Sequence, residues 1–313
     1  MTDSRQGKSA AVPGRPVRVV SLCFQNRDAA EILATVDREG AQGADLIALP
    51  ETWTGQGDAW QTLNGDTLAQ VSSLARKHHT YIVCPIDRRD GVQRRNSSVL
   101  LDRKGRVVCV YDKMYPYWSE FDLVPPVVPG SEVRVHEADF GRIGMAICFD
   151  ANFPEVWQQL ADAGTELVVW SSAYSAGSQL QAHALNHHFH IVTSTWSKDC
   201  QIYDITGERT LDECSDDLTV ARATLDLDRG IYHQNFNIPG RDNLLREHPD
   251  DVHQEQWLER EQWFVLAAQR PGVSARDLAK QYGLEELRDY KARSRLAIDT
   301  RRDRELMRGM GSS

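Results

Sequence analysis

From Val17 onward, apolar runs alternate with stretches whose apolar residues recur at helical spacing. Val17–Phe24 reads as a strand and Asp28–Arg38 as a helix, with Ile32, Leu33 and Val36 as its inner stripe and Asp28 as its N-cap. Asp45–Pro50 is a short apolar strand ending in Leu-Pro-Glu. Leu68–Lys77 then reads as a helix and Tyr81–Ile86 as a strand. Ser98–Leu101 and Val107–Tyr111 flank the turn Asp102-Arg103-Lys104-Gly105, which predicts a hairpin. This β-α-β-α-β-β order indicates an α/β layered domain with a mixed sheet.

The second half repeats the style without repeating the sequence. Arg142–Ile147 reads as a strand, and Asn152–Ala163 as a helix opened by the capping-box-like Asn152-Phe153-Pro154-Glu155. Glu166–Ser171 (strand), Gln179–His188 (helix), Ile191–Trp196 and Gln201–Ile205 (strands) follow, and Thr219–Leu227 reads as an edge strand. Beyond Asn235 the chain turns charged, and Gln256–Ala268, Ser274–Tyr282 and Leu284–Ile298 read as helices. Three regions are therefore expected: a disordered leader over 1–16, the sheet-bearing domain over 17–235, and a helical extension over 236–313 that packs on the body or on a neighbouring subunit.

Charge narrows the partners. The net charge is −9, and residues 241–313 are balanced at 14 Lys+Arg against 14 Asp+Glu, so the whole excess lies in the first 240 residues. An acidic body repels nucleic acid and anionic membranes. The balanced tail is likewise a poor footprint for DNA, despite a helix-turn-helix flavour in Ser274–Leu284. No run approaches the roughly 18 apolar residues of a membrane span. Met1–Pro16 lacks the apolar core of a secretory signal, so a cytoplasmic protein is expected. The 41% hydrophobic composition is that of an ordinary globule and excludes collagen-like or wholly disordered chains. Six scattered cysteines, the nearest two being Cys200 and Cys214, offer no Cys-x-x-Cys for zinc or redox exchange and are expected as free thiols.

Candidate chemistry sits where strands end. Cys148 follows the strand Arg142–Ile147 and precedes a helix start, a position where the partial positive charge of a helix N-terminus favours thiolate. Glu51 closes the apolar run Asp45–Pro50, and Lys113 follows Val108–Asp112. Burying either charge unpaired is expensive, so a Glu, a Lys and a Cys gathered at one sheet edge would satisfy one another. Together they would supply a base, an oxyanion stabiliser and a nucleophile.

Leu49-Pro50-Glu51, Tyr111-Asp112-Lys113-Met114 and Gly144-Met145-Ala146-Ile147-Cys148-Phe149-Asp150 with Phe153-Pro154-Glu155 resemble, in order, the three signature blocks of the nitrilase superfamily of carbon–nitrogen hydrolases. The resemblance runs from about Val17 to Leu227. It implies a four-layer αββα sandwich, homodimers or larger assemblies, and a Glu51-Lys113-Cys148 triad. Glu120 matches a second glutamate that many members place after the lysine. Glu51 would act as base, and Lys113 with the Phe149 backbone N–H would stabilise the oxyanion.

Cys148-Phe149-Asp150 resembles the branch that cleaves amides and carbamoyl groups, whereas nitrile-cleaving members typically follow the cysteine with Trp-Glu. Asp150, Tyr117, Trp118 and Tyr174 are the substrate-wall candidates, and Trp196 joins them or packs in the core. The expected substrate is a small amide or N-carbamoyl compound, with a nitrile as the alternative. Neither cofactor nor metal is implied, because the histidines of Asn186–His190 lack a nearby carboxylate in sequence. A serine esterase built on Ser175 and His233 lacks the first glycine of the nucleophile elbow. A non-catalytic scaffold would need the triad lost, and all three residues stand.

Overall fold

The computed structural model describes residues 12–57 and 60–310, the side chains of 304–310 aside, so most of the expected leader lies outside the described residues. The chain divides into two compact units, Val17–Leu225 and the segment from Asp226 onward together with residues 12–16. Among the described residues no helix is long and apolar enough to cross a membrane.

Two six-stranded sheets build the Val17–Leu225 unit. The first holds β1 (Pro16–Cys23), β2 (Leu46–Ala48), β3 (Tyr81–Asp90), β4 (Gln93–Leu101), β5 (Val107–Asp112) and β12 (Thr219–Asp226) in the order β12-β1-β2-β3-β4-β5. β1, β2 and β3 run parallel, with Val20 opposite Ile47 and Ile47 opposite Ile82, and β4 and β5 return antiparallel. The second sheet holds β6 (Val135–Ala138), β7 (Gly141–Ile147), β8 (Leu167–Ser172), β9 (His190–Thr195), β10 (Asp199–Tyr203) and β11 (Arg209–Cys214) in simple sequence order. Here β7, β8 and β9 are the parallel centre. The expected edge strand is β12, which returns from far along the chain to flank β1.

Each sheet carries its helices on one face. α1 (Ala29–Ala41) and α2 (Asp66–His78) set Ile32, Val36, Leu68, Val71 and Ala75 against Val20, Leu22, Ile47, Ile82 and Val99. α3 (Pro154–Asp162) and α4 (Ser178–His187) set Val156, Trp157, Leu160, Leu180 and Ala184 against Ala146, Val168, Trp170 and Ile191. Burying each large side chain of this kind contributes about 1.5–3 kcal/mol. Gly144 is required for that contact, since a Cβ there would meet Leu160 Cδ2 at 2.5 Å. The opposite faces of the two sheets meet through hydroxyl-to-carbonyl bonds, from Ser21 Oγ to Thr193 O (2.6 Å), Ser171 Oγ to Leu49 O (2.8 Å) and Ser194 Oγ to Leu22 O (2.5 Å). The layers are thus helix, sheet, sheet, helix.

The expected helix start at Asn152 is displaced. A 3₁₀ turn, Cys148–Asn152, intervenes, and α3 begins at Pro154 without a side-chain cap. Asn152 donates instead to Phe149 O at 3.1 Å.

The other unit has its own sheet, β13 (Gly230–His233), β14 (Val252–Leu258) and β15 (Trp263–Ala268) in the order β13-β15-β14, with α5 (Gln234–Glu247), α6 (Ala275–Gln281) and α7 (Leu287–Met310). Its core comprises Tyr232, Leu244, Val252, Phe264, Leu266, Ala275 and Leu284. The expected helix over 256–268 is a β-hairpin. Trp263-Phe264-Val265-Leu266 is an aromatic and β-branched run suited to a strand, and Gln262 turns the chain at φ +58°. Helix α5 escaped the sequence reading because Pro239 lies inside it. The expected helix 274–282 is α6, capped by Ser274, whose Oγ accepts from Asp277 N at 3.1 Å.

Candidate active site

Three strand ends converge within the sandwich, and they come from both sheets rather than from one edge. Glu51 follows β2, Lys113 follows β5, and Cys148 follows β7 of the facing sheet. All are nearly sealed from solvent, with Lys113 1% and Cys148 8% exposed. The Lys113 ammonium donates to Glu51 Oε1 (2.8 Å) and Glu120 Oε2 (2.6 Å). Glu120 reaches this point from a single 3₁₀ turn, Trp118–Phe121, and also accepts from Tyr117 N at 2.7 Å. Burial pulls the Lys113 pKa down, but the carboxylates of Glu51 and Glu120 outweigh it and raise the pKa, so the ammonium persists.

Asn96, inside β4, joins the same cluster. Its Nδ2 donates to Glu51 Oε1 (2.7 Å) and Glu120 Oε1 (2.8 Å), and its backbone carbonyl accepts from Lys113 N (2.9 Å). Gln56 Nε2 adds a donor to Glu120 Oε1 at 3.3 Å. Glu51 is further held by Ala173 N, which donates to Oε2 at 2.9 Å, while its own carbonyl accepts from the Trp196 indole at 2.6 Å. Trp196 is accordingly a half-buried brace for the Glu51 backbone rather than core packing.

Cys148 occupies the left-handed region at φ +46°, a conformation costing a side-chain-bearing residue on the order of 1–3 kcal/mol. The Trp170 indole N–H fixes its carbonyl at 3.1 Å. The thiol is not the preformed thiolate expected from a helix N-terminus. Burial, then the Glu51 carboxylate, push its pKa up, and the opposing pulls of Lys113, the Ala173 N–H and the Ser172 hydroxyl do not compensate. A protonated thiol beside a carboxylate has a proton acceptor within its own site.

Asp150 is not on the substrate wall. It is fully buried, and its carboxylate accepts from Tyr111 Oη (2.7 Å), Ile147 N (2.9 Å) and Tyr115 N (3.0 Å), tying the segment after Lys113 to the nucleophile turn. Burial raises its pKa to about 6 against the opposing pull of those donors and Lys113. The aromatic candidates do stand at the surface: Tyr117 and Trp118 are exposed, Tyr117 packs edge-on against Phe149 at 5.3 Å, and half-buried Tyr174 faces Asn152 Nδ2 at 3.4 Å.

The rival groups are engaged elsewhere. Ser175 Oγ donates to Asp199 at 2.5 Å, and His233 Nδ1 accepts from Asn235 N as the cap of α5. His190 does have a carboxylate beside it, Asp204 at 3.6 Å, which sequence distance concealed. Among the described residues no group of three or more His, Cys, Asp or Glu could hold a metal ion. Asn96 and Gln56 were missed from sequence. The one available signal was the polar run Asn96-Ser97-Ser98 beside an apolar stretch; all three residues are buried in β4.

Residues 23–229 match the Carbon-nitrogen hydrolase family model, and the chain belongs to that family. It is 25% identical over 172 residues to nitrilase homolog 2 of Dictyostelium discoideum, covering 49% of this chain and 52% of that one, so it spans about half the length of that relative. It is 23% identical over 219 residues to the citrullinase of Francisella tularensis, covering 65% and 77% of the two chains. A solved amidase from Nesterenkonia sp. shares the fold with TM-score 0.58 and 19% identity, over 69% of this chain and 93% of that one.

Proposed function

We propose that the chain is a thiol hydrolase cleaving the carbon–nitrogen bond of a small amide or N-carbamoyl compound. The observation that carries this reading is the buried ammonium of Lys113 held between Glu51 and Glu120 beside a thiol that burial keeps protonated. Glu51 takes the Cys148 proton as sulfur attacks the carbonyl carbon. The oxyanion that forms is stabilised by Lys113 and by the Phe149 N–H, which lies at the start of a helical turn where backbone donors lack intrahelical partners. Glu51 returns its proton to the departing nitrogen as the carbon–nitrogen bond breaks, leaving a thioester. Water then gives a proton to Glu51 and attacks the thioester, and the released sulfur is reprotonated. Glu120 holds Lys113 and orients substrate or water beside it.

An amidase of the same fold and a relative named citrullinase support an amide or carbamoyl substrate, while nitrilase homolog 2 keeps a nitrile as the alternative. The test is ammonia release over a panel of amides, N-carbamoyl compounds and nitriles. On an accepted substrate Cys148→Ala and Glu51→Gln should each lose at least about 10³-fold in kcat. Near-wild-type turnover in either variant would sink the assignment. Alkylation of Cys148 by iodoacetamide should likewise abolish activity, whereas a serine esterase or scaffold would be indifferent.

A further inference from the structure

We infer that Asn96 is a positioning residue that clamps Glu51, Glu120 and Lys113 into one register; this rests on the function proposed above. Lys113 and Asn96 are the two side chains among the described residues that bond both carboxylates. The two oxygens facing Asn96 each accept from its single Nδ2, at 2.7 and 2.8 Å, so that one nitrogen sets how the two carboxylates are placed. Two buried carboxylates gathered around one amide repel each other. A single ammonium offsets one negative charge, and the neutral amide of Asn96 supplies two further hydrogen bonds, one to each carboxylate, without adding charge.

The orientation of that amide is dictated by its neighbours. Reversing it would set its oxygen against two carboxylate oxygens, so the NH₂ group must face them. Its Oδ1 is thereby left buried with no partner among the described residues, an uncompensated desolvation. A site that tolerates an orphaned acceptor to present two donors is organised for its carboxylates rather than for stability. The backbone adds a third link, since Asn96 O accepts from Lys113 N at 2.9 Å. Glu51 and Glu120 approach Asn96 from the segments after β2 and β5, Lys113 from the end of β5, and Cys148 with Asp150 from the turn after β7. Tyr174, after β8, shares their electrostatic field.

The test uses the full chain and two variants, Asn96→Leu, which removes both donors, and Asn96→Ser, which keeps one. Cys148 alkylation by iodoacetamide, followed by mass at one fixed pH, needs no substrate and reports whether Glu51 is held where it can take the thiol proton. Its rate should fall about tenfold in Asn96→Leu and by less in Asn96→Ser. On an accepted amide, kcat should fall about 30–100-fold in Asn96→Leu with KM within about threefold, and Asn96→Ser should recover part of the loss. An unchanged alkylation rate in the folded variants overturns the inference, as does a rise in KM with kcat unchanged. Should Asn96→Leu fail to fold, Asn96→Ser decides by the same criteria. The functional reading fails separately, through turnover surviving in Cys148→Ala.

Discussion

The first sheet brings Glu51, Asn96 and Lys113 to the site from β2, β4 and β5, whereas the second brings Cys148, Ser172 and Ala173 from β7 and β8. The two contributions are held by different physics. The first is an ion network in which one ammonium, Lys113, bridges two carboxylates, Glu51 and Glu120. The second is a matter of backbone: a left-handed residue at Cys148, an indole bond to its carbonyl, and the Ala173 amide, which meets both Glu51 and the thiol. Charges buried together cannot be removed one at a time without leaving a partner uncompensated, while a thiol placed by its backbone can lose its side chain at little cost to its surroundings.

That contrast can be broken most directly at Lys113. Lys113→Met leaves Glu51 and Glu120 buried against each other and should destabilise the fold by about 3–5 kcal/mol in urea unfolding. Cys148→Ala removes one largely neutral, packed thiol and should cost about 1 kcal/mol or less on the same assay. Equal costs would erase the distinction between the halves.

Asp150 sharpens the comparison next, because it is a buried carboxylate on the backbone-held side. Its pKa is raised in the folded state by burial, so the native protein binds its proton more tightly than the unfolded chain does. Its contribution to stability is fully present below about pH 4 and is lost as pH rises through about 6. Wild type should therefore lose roughly 2–3 kcal/mol relative to Asp150→Asn across that window, read from unfolding midpoints at several pH values. A parallel pH dependence in the two proteins would show that Asp150 does not titrate there.

The smallest effect separates the helix layers. Asp28 Oδ1 accepts from Ala30 N (2.8 Å) and Glu31 N (3.2 Å) at the start of α1, whereas α3 starts at Pro154 with no side-chain cap. Asp28→Ala should cost about 1 kcal/mol, and Asn152→Ala only a few tenths. A cost at Asn152 equal to that at Asp28 would mean that α3 is capped in solution after all.

Much of the sandwich was legible because its strands and helices announce themselves through local periodicity. Ile32 and Val36 mark the inner face of α1, Asp28 marks its start, and the apolar runs before Glu51 and Cys148 mark strands that end where chemistry can sit. The C-terminal unit was less legible. Charged residues flanking Gln256–Ala268 masked an alternating strand, and Pro239 hid a helix that accommodates it. In the site, Asn96 went unseen because nothing local distinguishes a strand asparagine that faces two carboxylates from one that faces solvent.

By itself the sequence determined which residue types close the strands, the helix cap at Asp28, and the signature blocks that place the chain in its family, since each depends on neighbours a few positions apart. Only the tertiary structure decided that Cys148 is a buried, protonated thiol beside Glu51, that Asp150 is an internal brace, and that Asn96 and Lys113 hold both carboxylates. The reason is that desolvation and charge pairing are sums over neighbours in space. Here those neighbours lie 45 residues apart for Asn96 and Glu51, and 62 apart for Lys113 and Glu51.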